Sequence, residues 1–154
     1  LSQQWAVSLL STMGLFSFFS LLSLGWVADR VNKPRMMAWC TAIGSIGLLL
    51  LAYSRGEWAL WLFLPLFTLI ESVFPVTWAT VGDIYGRKNF AKIRGTMSFF
   101  YMWGGVVGPI IAGAVYDRTQ NYTPTLWVLV GLLIISSALY AMLSKPWARS
   151  LGLR

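Results

Sequence analysis

The chain has 154 residues, of which 57% are hydrophobic and only 11% are charged, with a net charge of +7. A soluble domain carries about a quarter charged residues and needs a polar stripe on each surface helix, so this composition indicates a membrane protein. With no histidine and a single cysteine, Cys40, the sequence excludes histidine-based metal sites, disulfide frameworks and Cys/His nucleophile pairs within itself.

Charged residues divide the sequence into five apolar stretches, which are in chain order 5–27, 36–54, 58–82, 96–116 and 125–144. Each is close to the ~20 residues that a helix needs to cross about 30 Å of hydrocarbon. We therefore predict an all-α membrane protein with five transmembrane helices. Basic loops at 28–35 and 83–95 and a tail at 145–154 complete the predicted topology.

The basic residues predict an orientation. All but two of the 12, Arg55 and Arg118, fall in those two loops and in the tail. Because basic loops stay on the cytoplasmic side, we expect the loops and the C-terminus to face the cytoplasm, in a plasma membrane or bacterial inner membrane. The bases form separate clusters and no continuous basic face, so a nucleic-acid partner is not expected.

Hydroxyl side chains are frequent in the first predicted span, where they can line an aqueous path. Ser8 and Ser11 are the candidates for substrate contact, and Ser17 and Ser20 lie further along the span. Serines that bond to carbonyls of their own helix, or that join helices, are the alternative. The second and fifth spans are almost uniformly apolar.

Glu71 is the only charged residue inside a predicted span, near the middle of 58–82. An ionisable group at that depth costs at least about 2.5 kcal/mol on insertion scales and indicates a functional site. Pro75 cannot donate to the Glu71 carbonyl, which leaves a free acceptor beside the carboxylate. We predict that Glu71, with Thr68 and Trp78 on the same helical face, binds a proton or a cationic part of a substrate. A structural hydrogen bond to a Ser or Thr of a neighbouring helix is the alternative.

The fourth predicted span carries small residues at four-residue spacing. Gly104, Gly108 and Ala112 form a face that suits close helix contact. Pro109 lies within the same span and is expected to bend the helix.

The loop after the first span carries the motif GWVADRVNKPR, Gly25 to Arg35. It resembles the signature cytoplasmic loop of the major facilitator superfamily, Gly-x-x-x-Asp-Arg-x-Gly-Arg-Arg, which joins the second helix to the third in each six-helix half. Asn32 replaces the family's Gly, and asparagine tolerates the left-handed backbone that glycine adopts. Pro34 interrupts the basic pair and suits the first turn of the next helix.

A second stretch, GDIYGRKNFAKIRG at 82–95, is followed by GGVVGP at 104–109 and YDR at 116–118. It is similar to helices ten and eleven of the same superfamily, especially in the branch that carries monocarboxylates and related organic anions. On this resemblance the chain corresponds to helices eight to twelve of a twelve-helix transporter, and the N-terminal half is expected to belong to a longer protein. The second and fifth spans then correspond to helices nine and twelve, for which the resemblance implies lipid-facing positions. Helices two to six remain an alternative register.

The resemblance implies a secondary active transporter that moves a small organic anion such as a monocarboxylate, with protons, by alternating access. It also implies a cytoplasmic gate in which Asp29 accepts hydrogen bonds from the N-terminus of a helix in the other half. The residues assigned to this gate are Gly25, Asp29, Arg30, Lys33, Arg35, Asp83 and Arg87. Loop bases that only set the topology are the alternative.

The expected partners are a small-molecule substrate, the lipid bilayer and the missing N-terminal half. No enzymatic activity, cofactor or metal ion is expected. Drug or sugar transport within the same family, and a channel or an assembly subunit outside it, are the alternative functions.

Overall fold

A computed structural model describes residues 3–54 and 56–144 as four α-helices. Helix α1 spans Gln3–Ala28, α2 Lys33–Tyr53, α3 Glu57–Thr119 and α4 Thr123–Leu143. All four are long and apolar enough to cross a membrane, and the described ranges contain no strand. The all-α membrane architecture is thereby confirmed. The predicted tail at 145–154 lies outside the described residues.

Helix α3 contains both the third and the fourth predicted span in one element of 63 residues. Its backbone leaves the helical region only at Gly86, where φ is 69° and ψ is 172°. Residues 83–95, expected to form a loop, are therefore helical on both sides of Gly86. Charged side chains indicate contact with water but do not break a helix, since Lys and Arg are good helix formers.

Ring contacts show that α3 folds back on itself at Gly86. The Phe74 ring lies 5.2 Å from the Tyr101 ring, and the Arg94 guanidinium lies 5.3 Å from the Trp78 ring. We name residues 57–85 the first arm of α3 and residues 87–119 the second arm. The two arms contain the third and fourth predicted spans and form a hairpin, with a one-residue elbow at Gly86 in place of a long loop.

The turn between α1 and α2 is closed by a helix cap. The Arg35 backbone N–H donates to the Asn32 side-chain oxygen over 3.1 Å, and Pro34 occupies the first turn of α2. Pro34 therefore has the role expected from the sequence. Asn32 does not adopt the left-handed backbone we anticipated, because its φ of −65° and ψ of 106° are those of an N-cap residue.

Helix α2 packs against the first arm on one side and against α4 on the other. The Ser137 hydroxyl of α4 donates to the Ala38 carbonyl over 2.8 Å, and the Thr77 hydroxyl of the first arm lies 3.4 Å from the Met37 sulfur. Half of the apolar window of α2 is buried, against none of that of α1. The expectation that the second span faces lipid was wrong among the described residues.

Two glycines explain why α2 and the first arm approach so closely. A Cβ atom at Gly47 would lie 2.8 Å from the Leu66 Cβ, and a Cβ at Gly44 would overlap the Ile70 side chain. At Gly104 and Gly108, the predicted contact face, no atom of the described residues comes within 4 Å of such a Cβ. The small-residue contact of this bundle therefore lies on α2 and not on the second arm.

Gly47→Ala is expected to lower the free energy of unfolding by about 1–3 kcal/mol, the usual cost of overpacking. The Leu66 Cβ is fixed to its backbone, so the two helices must separate to admit the new methyl group. Unfolding in detergent measures the effect, with Gly131→Ala as the control, because nothing lies within 4 Å of a Cβ there. Equal stability of the two variants would contradict this packing.

Candidate functional site

Polar side chains join α1 to the first arm at mid-length. The Ser17 hydroxyl donates to the Glu71 carboxylate. One turn further along α1, the Ser20 hydroxyl lies 2.9 Å from the Ser72 hydroxyl and 3.3 Å from the Thr68 carbonyl oxygen. We name these five residues, Ser17, Ser20, Thr68, Glu71 and Ser72, the polar seam.

The seam forms because α1 and the first arm run in the same direction with their midpoints level. Trp5 packs against Trp61 with ring centroids 6.0 Å apart near the beginnings of the two segments, and Ser17 contacts Glu71 halfway along them. A parallel pair brings residues of equal depth together. The mid-span carboxylate therefore meets the mid-span hydroxyls of α1.

The seam is shielded from solvent and carries one formal charge. Thr68 and Ser72 are each 1% exposed, and Glu71 is partly buried. Helices α1 and α4 contain no charged residue, and the charged residues nearest to Glu71 along α3 are Glu57 and Asp83, both acidic. Among the described residues, the Glu71 carboxylate forms no ion pair.

The backbone beside Glu71 supplies a further acceptor. Pro75 has no N–H group to donate to the Glu71 carbonyl. The φ and ψ angles of α3 nevertheless stay helical at Pro75 and at Pro109, since Gly86 alone leaves that region. The two prolines remove hydrogen bonds without interrupting the helix.

The structure brings together only some of the predicted substrate-contacting residues. Glu71 and Thr68 lie in the seam. The Ser8 hydroxyl instead donates to the Gln4 carbonyl of its own helix over 3.0 Å and is exposed, as the alternative for these serines proposed. Ser11 is exposed on α1, more than one helical turn before Ser17.

Trp78 lies about two turns from Glu71, nearer the elbow of α3. Its ring contacts Phe74 edge-on at 5.7 Å and faces the Arg94 guanidinium. Its indole N–H is buried without a hydrogen-bond partner among the described residues. Trp78 therefore belongs to the hairpin and not to the seam.

The predicted gate residues cluster at the end of the bundle that holds the α1–α2 turn and the elbow. The Lys33 ammonium lies 2.5 Å from the Asp83 carboxylate and joins the two basic segments. Lys33 is 21% exposed and Asp83 60% exposed, and such a surface pair contributes only about 0–1 kcal/mol. The ion pair therefore adds little to the packing between α2 and the first arm at this end.

The remaining gate residues are not joined to that pair. The Arg30 guanidinium lies 3.7 Å above the Trp26 ring. Asp29, Arg35 and Arg87 are exposed, and no described atom lies within 4 Å of a Cβ built at Gly25.

Comparison with known proteins assigns the chain to a family. The sequence model of the Major Facilitator Superfamily matches residues 1–151. The chain belongs to this superfamily. The four membrane-length helices form part of a major facilitator bundle, in agreement with the resemblance of residues 25–35 and 82–95.

Several superfamily members with curated names are similar to the chain. Monocarboxylate transporter 12-B of Danio rerio is 29% identical over 141 residues, covering 88% of the chain and 29% of the transporter. Monocarboxylate transporter 12 of Homo sapiens is 26% identical over 145 residues, covering 90% of the chain and 28% of the transporter. The hexuronate transporter of Bacillus subtilis is 23% identical over 146 residues, covering 86% and 34%.

The chain spans about a third of the length of these major facilitator relatives. No solved structure gives a significant match. The relatives are transporters, and the chain is an integral membrane protein of their superfamily.

Proposed function

We propose that the chain is part of a secondary active transporter that moves a small organic anion by alternating access, together with a cation held at Glu71. Its relatives are named for monocarboxylate and hexuronate transport, and both solute classes carry a carboxylate. The transported solute is thus proposed to be a small carboxylate, and no chemical change of the solute is involved.

The observation that carries this proposal is the Glu71 carboxylate in the polar seam, which accepts a hydrogen bond from Ser17 but has no ion pair among the described residues. A fixed negative charge in an apolar span favours occupation by a cation, because the pair is neutral where a single charge is costly. Apart from the bases near the helix ends, the described membrane-spanning segments contain no Lys or Arg that could bind the anion. The cation at Glu71 and residues outside this chain are therefore proposed to offset the charge of the solute.

We further propose that the basic end of the bundle faces the cytoplasm and acts as the gate. The positive-inside rule supports this orientation, and the plasma membrane or bacterial inner membrane is the proposed location. Asp29, exposed at this end, would accept hydrogen bonds from a helix N-terminus in the other half of the transporter in one state and release them in the other. The Lys33–Asp83 pair joins two helices of this chain and would position the basic segments for that contact.

Counterflow in proteoliposomes that contain the full-length protein tests the proposed function. Labelled solute outside is expected to enter faster when the same unlabelled solute is inside, for a hexuronate or a short monocarboxylate but not for the matched neutral hexose. Trans-stimulation requires a carrier that returns loaded, so a channel would show flux without it. Stimulation by the hexose alone, or by no carboxylate, would contradict organic-anion transport.

A further inference from the structure

Three oxygen atoms of the polar seam form a compact triangle. The Ser20 hydroxyl lies 2.9 Å from the Ser72 hydroxyl, the Ser72 hydroxyl lies 3.0 Å from the Thr68 carbonyl oxygen, and the Ser20 hydroxyl lies 3.3 Å from that same oxygen. Two of the three residues, Thr68 and Ser72, are almost completely buried. The triangle spans α1 and the first arm, so both helices contribute to it.

Hydrogen bonds cannot occupy all three of these oxygen–oxygen contacts at once. A serine hydroxyl carries one proton and a carbonyl carries none, so two protons serve three oxygen–oxygen contacts. The Thr68 hydroxyl cannot add a proton, because it donates to the Pro65 carbonyl over 2.9 Å. One edge of the triangle therefore joins two lone pairs, and a positive charge beside it would be attracted to all three oxygen atoms.

Glu71, which bears the carboxylate, is adjacent to this triangle along the chain. Glu71 directly precedes Ser72, and its hydrogen-bond partner Ser17 lies one helical turn before Ser20. Among the described residues, no Lys or Arg forms an ion pair or a hydrogen bond with a seam side chain. Helix α1 has no charged residue, and the bases of α2, Lys33 and Arg35, lie in its first turn at the far end of the bundle.

We propose that the polar seam binds a single dehydrated sodium ion. The ligands are the Glu71 carboxylate, the hydroxyls of Ser17, Ser20 and Ser72, and the Thr68 carbonyl. Hard cations take oxygen ligands of these types, and transporters place coupling-ion sites near the bilayer midplane. One carboxylate balances one unit of charge, so a monovalent ion leaves the site neutral whereas a divalent ion does not.

This inference rests on the proposed function, because it identifies sodium as the coupling cation of the proposed transporter. It also makes a binding claim that does not require transport. A ligand that binds only the folded protein raises its melting temperature. Sodium should therefore stabilise the purified protein more than potassium or choline does at equal ionic strength.

The binding experiment uses the full-length protein in detergent at one fixed pH, with NaCl, KCl or choline chloride. We expect sodium to raise the Tm of the wild type, and the Ser20→Ala/Ser72→Ala variant to need about tenfold more sodium or to lose the shift, because two ligands to a charge are removed. Ser45→Ala is the matched control: its buried hydroxyl donates to the Ala42 carbonyl of its own helix. If the double variant does not fold, Ser20→Ala alone is compared.

The transport experiment uses proteoliposomes at the same pH with an inward sodium or choline gradient. We expect sodium to stimulate carboxylate uptake in the wild type and in Ser45→Ala, and the double variant to lose the stimulation. If the rate of carboxylate uptake does not depend on sodium and the Tm does not change with sodium, the sodium site is overturned, and the proposed transport function still stands. A sodium-dependent Tm without uptake of any carboxylate would support the site and overturn the proposed function.

Discussion

Glu71→Gln is expected to abolish concentrative uptake while solute exchange across the membrane continues. The amide keeps an oxygen that can accept from the Ser17 hydroxyl, but it carries no charge to hold a cation. Without a bound cation, solute transport is no longer coupled to the cation gradient and becomes passive. Accumulation and counterflow, measured in the same proteoliposomes, separate the two effects.

The same substitution is expected to raise or preserve stability. A charged group at mid-membrane depth costs about 2.5 kcal/mol on insertion scales, and glutamine avoids that cost. Glu57→Gln is the control, because Glu57 is an exposed acid in the first turn of the same helix. If Glu71→Gln accumulates solute as the wild type does, Glu71 has only the structural role that its Ser17 hydrogen bond would equally serve.

Gly86→Ala is expected to lower the free energy of unfolding by about 1–3 kcal/mol, the cost of a backbone conformation that only glycine adopts freely. The φ of 69° and ψ of 172° at this residue form the elbow between the arms of α3. A Cβ there meets no neighbouring atom, so the strain comes from the backbone alone. A relaxed elbow would move the second arm away from the first.

Cross-linking between introduced cysteines reports that movement. Cysteines at Phe74 and Tyr101, whose rings are 5.2 Å apart, are expected to be joined efficiently by a short thiol-specific bifunctional reagent in a Cys40→Ala background and poorly when Gly86→Ala is added. Gly95→Ala is the control, because that glycine is helical and has open space around it. Unchanged cross-linking in Gly86→Ala would show that the elbow does not depend on glycine.

The positions of the helices could be predicted from the sequence because the apolar stretches are long and the charged residues lie between them. The charges at 83–95 also led to the wrong prediction of a loop there, where the chain is helical on both sides of Gly86. A charged residue must reach water, but it can do so from a helix, and only Gly86 required a different backbone. The loop was therefore one residue where thirteen positions were assigned to it.

The burial of α2 could not be predicted from its composition. A helix that is apolar on every side fits lipid and protein equally well, so hydropathy does not decide between them. Gly44 and Gly47 were the available signal, because small residues on one face allow a neighbouring helix to approach. Gly104 and Gly108 show the same pattern in the sequence, but no described helix packs against that face.

Of the polar seam, the sequence suggested Glu71 and Thr68 as binding candidates but not Ser17, Ser20 or Ser72. Glu71 is conspicuous because it is the one charge within a span, whereas the serines of α1 all look alike in the sequence. Depth distinguishes them. Ser17 lies at the middle of 5–27 as Glu71 lies near the middle of 58–82, and Ser8 and Ser11 lie nearer the beginning.

Concentrative uptake under an imposed cation gradient tests the central claim most directly. The full-length protein in proteoliposomes is given the carboxylate that shows counterflow, and its internal concentration is followed before and after an ionophore collapses the gradient. The account predicts accumulation above the external concentration, and its loss when the gradient collapses. Uptake that stops at equilibration whatever the gradient would contradict a cation-coupled transporter built around Glu71.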